Sequence, residues 1–185
     1  MRRHFDNGIV TPQPVFIIGT YDKDGKANAM NVAWGGQVGP KQVSLSLSQH
    51  KTTDNLKEIG AFTVSFADEA HVAEAEYVGI ASGAKDPEKM EKSGLTAVRS
   101  EFVNAPYFEE LPVAIECKVV SITEEYGETR VVGEIVGMTA DEFVITDDKV
   151  DLAKLQPIIF DCSALMYRSI GDTLGGAWNI GKKLM

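Results

Sequence analysis

The sequence predicts a mainly β, antiparallel fold with short helices, a barrel or sandwich around one core. Three features carry that expectation. Segments rich in Val, Ile, Leu, Phe and Thr recur about seven times and are mostly too short for helices. Turn-forming clusters join neighbouring segments as hairpins, and a hairpin makes an antiparallel pair. Gln42 to Ser48 alternates, with Val43, Leu45 and Leu47 on one side and Gln42, Ser44, Ser46 and Ser48 on the other. A period of two over such a stretch is a strand with one buried face.

The elements follow in order. Val15 to Tyr21 is the first strand, Asp22-Lys23-Asp24-Gly25 the turn, and Lys26 to Val32 the returning strand. Trp34-Gly35-Gly36 to Pro40 reads as a glycine-rich loop. After the alternating strand, Thr52, Thr53 and Asp54 are N-cap candidates for a short helix from Asn55 to Ile59, which Gly60 ends. Ala61 to Phe66 is strand, Asp68 to Tyr77 a helix with an Asp cap, and Gly79 to Gly83 a loop. Pro87 to Lys92 is a short polar helix ending at Gly94. Val113 to Thr123 and Thr129 to Met138 form a long hairpin across Glu125-Tyr126-Gly127-Glu128. Phe143 to Ile145 and Pro157 to Asp161 are further strands. The tail from Ala164 is loop with a possible short helix, in which Trp178 is expected to pack. No internal repeat or linker divides the chain, so residues 1–185 are expected to form one domain.

Composition narrows function. The chain has 185 residues, 44% hydrophobic and 24% charged, with net charge −9. That field repels nucleic acid and anionic membranes, and no basic run with interleaved aromatics offsets it. No apolar run approaches the ~18 residues that span a bilayer, and the polar, Pro-broken N-terminus lacks a signal-peptide core. Cys117 and Cys162 have no partner at metal-ligand or C-x-x-C spacing, and read as free thiols suited to the cytoplasm.

Familiar catalytic patterns are absent. The chain has no G-x-G-x-x-G between strand and helix, no phosphate loop, no G-x-S-x-G and no H-E-x-x-H. His4, His50 and His71 are scattered, and the position one turn after His71 is Ala75. Glu124-Glu125 and Asp147-Asp148 flank turns and read as solvated charge.

One segment gathers polar chemistry, from Asn28 to Asn55. Asn28-Ala29-Met30-Asn31, Trp34-Gly35-Gly36, Ser46-Leu47-Ser48 and His50-Lys51-Thr52-Thr53 bring amides, hydroxyls and a lysine to strand ends and a helix start. Free N–H groups, two hydroxyls and an ammonium suit a phosphate. A Thr cap beside a surface lysine explains the same residues.

In its motifs the chain resembles the flavin reductase-like family, in its flavoredoxin-type branch. The resemblance runs over nearly the whole chain. It is carried by Pro14 to Thr20, Asp24 to Asn28, Met30, Trp34, Pro40 to Val43, His50 to Leu56, Gly60 to Ser65, Ser82-Gly83, Glu110 to Cys117 and Tyr167 to Lys182. Asp86-Pro87-Glu88-Lys89-Met90 resembles an Asp-x-x-Lys-Phe pattern, with Met90 where an aromatic is usual.

The resemblance implies an antiparallel Greek-key split barrel, a homodimer, and FMN in a cleft near the dimer interface. Asn28, Met30 and Asn31 would line the isoalloxazine or ribityl region, with Ala29 also among the cofactor-binding residues and Trp34 as a candidate wall. Ser46, Leu47 and Ser48 would contact the flavin from a strand end, and Lys51, Thr52 and Thr53 would hold the phosphate. Ala81, Ser82 and Gly83 would close over the cleft, and Tyr167 and Ile170 would pack beside the ring. Electrons would enter from NADH or NADPH and leave to an acceptor or a redox partner protein; with the flavin carrying the chemistry, no catalytic acid or base is required. A flavin-loaded electron carrier and a flavin-free barrel module are the alternatives.

Overall fold

The computed structural model describes residues 1–185. Its strands are β1 (Gln13–Pro14), β2 (Phe16–Tyr21), β3 (Ala27–Val32), β4 (Gly35–Gly39), β5 (Gln42–Leu47), β6 (Ala61–Phe66), β7 (Ala97–Arg99), β8 (Pro106–Phe108), β9 (Val113–Glu125), β10 (Glu128–Ala140), β11 (Ile145–Thr146), β12 (Lys149–Val150), β13 (Ile158–Asp161) and β14 (Met166–Ser169). The α-helices are α1 (Lys51–Ile59), α2 (Val72–Ile80), α3 (Lys89–Ser93) and α4 (Leu152–Leu155).

Seven strands form one antiparallel sheet in the order β3-β2-β6-β9-β10-β5-β4. Its two edges, β3 and β4, are consecutive in the chain and joined only by Ala33 and Trp34. The sheet must therefore curl until its edges meet, and because β3 and β4 are not paired with each other the barrel stays split there. Every strand except β4 sends apolar side chains inward: Phe16 and Ile18, Met30 and Val32, Val43, Leu45 and Leu47, Phe62 and Val64, Cys117, and Val131, with Leu56 of α1 plugging one end. A second cluster forms where α2 covers the outer face of β2 and β3, burying Val15, Ile17, Ala29, Ala75 and Val78.

The β2–β3 hairpin is fixed by its turn. Gly25 has φ +77°, and the Asp22 carboxylate accepts from the N–H groups of Asp24 and Lys26. Tyr126 and Gly127 both take positive φ at the tip of the long β9–β10 hairpin, the twist a two-residue turn requires.

Several expected boundaries move. The glycine-rich stretch after Trp34 is strand β4, since a Cβ on Gly35 would lie 2.9 Å from the Ser44 carbonyl oxygen and 2.7 Å from Leu45, so bare backbone suits this edge. Helix α1 begins at Lys51, not Asn55, because Thr53 hydrogen-bonds back to Ser48 instead of capping. Helix α2 begins at Val72, because Asp68 spends its carboxylate on the N–H groups of Ala70 and His71 in a preceding turn. Residues 142–144 form a 3-10 turn that buries Val144 beside Val113 and Leu155. The tail contributes β14, paired to β13. Trp178 is 95% exposed, so it packs on nothing within the chain. Both cysteines are free and buried, and burial beside Glu116 pushes the Cys117 thiol up to about 12. No helix is long and apolar enough to cross a membrane.

Candidate functional site

The first turn of α1 faces a groove. His50 is the N-cap, in extended conformation, and no side chain caps the helix. Asp54 N–H reaches the His50 carbonyl, while the N–H groups of Lys51, Thr52 and Thr53 have no intramolecular acceptor. Three free donors at the positive end of a helix attract an anion. Neighbouring side chains deepen that field. Asn28 Nδ2 donates to Thr52 Oγ1 at 2.8 Å, leaving the hydroxyl proton for another acceptor. Lys51 Nζ stands 3.1 Å from Asp22. Burial pushes the Asp22 carboxyl up, but the N–H groups of Lys26 and Asp24 and the Lys51 ammonium outweigh it and hold it below the ordinary carboxylate range.

Lys89 lies opposite, at the start of α3. It is 4% exposed, and its ammonium donates to the Ala29 carbonyl at 2.7 Å with no carboxylate beside it. Burial lowers its pKa to about 8. A buried cation with one neutral acceptor is under-satisfied, and an anion in the groove would complete it.

The groove has two ends. The cationic end holds about 390 Å³ between Asp22, Lys26, Lys51, Asp86 and Lys89. A neck lined by Asn28, Thr52, Ser82 and Gly83 connects it to a wider cleft of about 530 Å³. Met30, Val32, Trp34 and Leu47 give that cleft apolar walls, with Asn31, Ser46, Ser48, His50 and Glu128 at its margins. A side chamber of about 170 Å³ continues from Asn31 and Gly79 to Phe160 and Tyr167, whose rings lie 5.8 Å apart. Two glycines make room. A Cβ on Gly83 would sit 2.3 Å from Asn28 Oδ1, and one on Gly79 would sit 2.9 Å from the Asn31 Cβ, where α2 crosses β3.

Of the residues singled out in the sequence, Asn28, Met30, Asn31, Trp34, Ser46, Leu47, Ser48, Lys51, Thr52, Ala81, Ser82 and Gly83 line this groove, and Tyr167 lines its side chamber. Three fall elsewhere. Ala29 points to the outer face of β3 and is buried under α2, because its neighbours Asn28 and Met30 take the inward positions. Thr53 is buried, with its hydroxyl donating to the Ser48 carbonyl, so only its N–H faces the groove. Ile170 follows β14 on the exposed tail, outside the groove walls. Asn31 spends its amide on the Ala75 carbonyl.

His50, Gly79, Lys89 and Glu128 also line the groove. The sequence carries Lys89 inside its Asp-x-x-Lys pattern, but with Met90 after it no role attached. Glu128 arrives through long-range register: β10 pairs Thr129 with Leu47, which sets Glu128 beside Ser48, and Ser48 Oγ donates to Glu128 Oε2 at 2.9 Å. No local signal announces that pairing.

The family model "Flavin reductase like domain" matches residues 9–153. Flavoredoxin of Desulfovibrio vulgaris (Miyazaki F) superposes with a TM-score of 0.91 at 36% identity, covering 98% of this chain and all of that one. Flavoredoxin from Methanosarcina acetivorans gives 0.90 at 29% identity, covering 100% and 99%. Nitrilotriacetate monooxygenase component B from Bacillus cereus, at 22% identity with a TM-score of 0.81 over 91% and 89%, shares the fold.

Proposed function

The chain belongs to the flavin reductase-like domain family, and on that premise we propose that it binds FMN in this groove and passes electrons from NADH or NADPH through it. The observation that carries the reading is the donor set at the cationic end: three free helix N–H groups, the Thr52 hydroxyl, and the Lys51 and Lys89 ammoniums, each of which keeps N–H donors beyond its bond to Asp22 or to the Ala29 carbonyl. That set fits a phosphate. The wider, half-apolar cleft beyond the neck fits a planar ring, walled by Met30, Trp34 and Leu47. When bound, FMN supplies the redox chemistry.

The chain's own residues bind and orient. Asn28 holds the Thr52 hydroxyl in place, and Gly83 keeps the neck open. Met30 and Leu47 exclude water from one side of the ring cleft. The reading includes a homodimer, since Leu174, Trp178 and Leu184 leave apolar surface on the tail that a second copy would cover. Sedimentation at several concentrations tests it.

The activity is tested by mixing the FMN-loaded protein anaerobically with NADH, then NADPH, and following loss of flavin colour. Bleaching by either, with turnover when acceptor is added, supports a reductase. The similarity to two flavoredoxins favours a second reading, an electron carrier. Reduction by a partner protein but by neither nucleotide would select it.

A further inference from the structure

The cationic end of the groove is much larger than one phosphate. It holds about 390 Å³, whereas a phosphate group displaces on the order of 60 Å³, about two waters' worth. The phosphate donors occupy one side: the first turn of α1, the Thr52 hydroxyl, Lys51 and Lys89. The rest of the wall comes from Lys26, where the β2–β3 hairpin turns back, and from Ala84, Asp86, Pro87 and Met90, where the chain leads into α3.

That remaining wall suits a second phosphoryl group. Lys26 donates to the Pro87 carbonyl and has no carboxylate at ion-pair distance, so its ammonium keeps donors for another acceptor. The carboxylates beside it are already paired. Lys51 stands 3.1 Å from Asp22, and Lys92 stands 2.9 Å from Asp86. The Lys92 hydrogen bond, with the Glu88 N–H and the charges of Lys92 and Lys26, outweighs burial and holds the Asp86 carboxyl below the ordinary range. Met90, the departure in the Asp-x-x-Lys pattern, lines the same space. It is unbranched and polarizable, and with Ala84 and Pro87 it offers an apolar surface to a planar base.

We infer that the cationic end also takes a flavin dinucleotide, with the second phosphoryl group at Lys26 and the adenosine against Ala84, Pro87 and Met90, so that the groove accepts FAD as well as FMN. The inference rests on the FMN reading above and widens its cofactor class. FAD laid along the groove keeps the ring, the ribityl chain and the first phosphate where FMN has them, and adds groups only in the unfilled space. A phosphate monoester carries about −1.5 to −2 at pH 7 and the diphosphate of FAD about −2, so Lys26 gains a contact with little extra charge to neutralise.

The test titrates the flavin-stripped full chain with FMN and with FAD by calorimetry at low ionic strength, and reads the ratio of the two affinities. A general loss of fold or of flavin binding cancels in that ratio. FAD should bind within about tenfold of FMN. Lys26→Met should shift the ratio against FAD by about threefold or more, and the shift should shrink in ~0.5 M salt. Met90→Phe, which fills the adenosine space, should shift it against FAD by about tenfold. Lys85→Met removes a charge from the same loop outside the cavity wall, and should leave the ratio near that of the parent.

FMN bound without FAD overturns the inference and leaves the FMN reading standing. So does FAD binding whose ratio neither Lys26→Met nor Met90→Phe moves, or moves no more than Lys85→Met. A chain that binds neither flavin sinks the cofactor reading, and the inference with it.

Discussion

The Asn28 side-chain amide donates to Thr52 Oγ1 across 2.8 Å, with both side chains buried. This bond ties β3 to the first turn of α1, joining a strand that walls the wider cleft to the helix whose free N–H groups face the cationic end. Thr52→Val leaves the Asn28 amide buried without that acceptor, and should cost about 1–3 kcal/mol in urea unfolding. FMN affinity should fall about tenfold or more in a fluorescence titration. Combined with Asn28→Ala, the losses should total less than the sum of the single variants, because one bond is removed twice.

Lys89 gives the chain a pH signature. Its folded pKa is about 8 against 10.5 for an ordinary lysine. Between those values the unfolded chain holds a proton that the folded chain has lost, so the Lys89 contribution makes stability rise with pH across that window. Lys89→Met should remove the slope in denaturation curves of the apo protein. Over the same window the uncharged amine no longer attracts phosphate, so FMN affinity should fall as pH rises through about 8. Lys89→Arg, charged throughout, should flatten that fall.

Space at the neck is tested by Gly83→Ala. The added Cβ would lie 2.3 Å from Asn28 Oδ1. Relief by moving the Asn28 amide breaks its bond to Thr52. The expected result is FMN affinity lowered about tenfold, with loss of one hydrogen bond's worth of stability, roughly 1 kcal/mol. Unchanged FMN binding would show that the neck is not part of the cofactor path.

Glu116 lies on β9, outside the groove, 1% exposed, with one oxygen accepting from Ser100 and the other unpartnered. Burial raises its pKa, and the Ser100 bond only partly offsets this. A carboxyl that holds its proton longer in the folded chain favours folding at low pH, and loses that advantage as pH rises above 4.5 through its folded value. Glu116→Gln should therefore raise the melting temperature at pH 7 by about 2–4 °C per kcal/mol recovered, and change little near pH ~4. FMN binding should be untouched.

The strands were legible in the sequence where the period was clean. Gln42 to Leu47 and Ala61 to Phe66 fold as their patterns imply, since each has one face committed to the core. Helix starts were less legible. Thr52 and Thr53 are good caps in isolation, but bonds to Asn28 and Ser48 draw both into the helix. Most of the groove was readable from the stretch between Asn28 and Thr53, because α1 and the ends of β3 and β5 come from it. Glu128 and Lys89 were not assigned, since only the register of β10 on β5 and the fold of α3 against β3 bring them in. Ala29 turns its side chain to the outer face of β3, one step of the strand period from Asn28 and Met30, while its carbonyl accepts from Lys89 at the neck.

The central claim is that the donors around Lys51, Thr52 and Lys89 hold the phosphate of FMN. The most direct test is the visible absorption spectrum of the purified protein after FMN is added and unbound flavin is removed by desalting. Parent protein should keep the yellow band at about one flavin per chain, and a Lys51→Ala/Lys89→Met variant that still unfolds cooperatively should lose most of it. A colourless parent, or a variant that keeps its full flavin, would contradict the account.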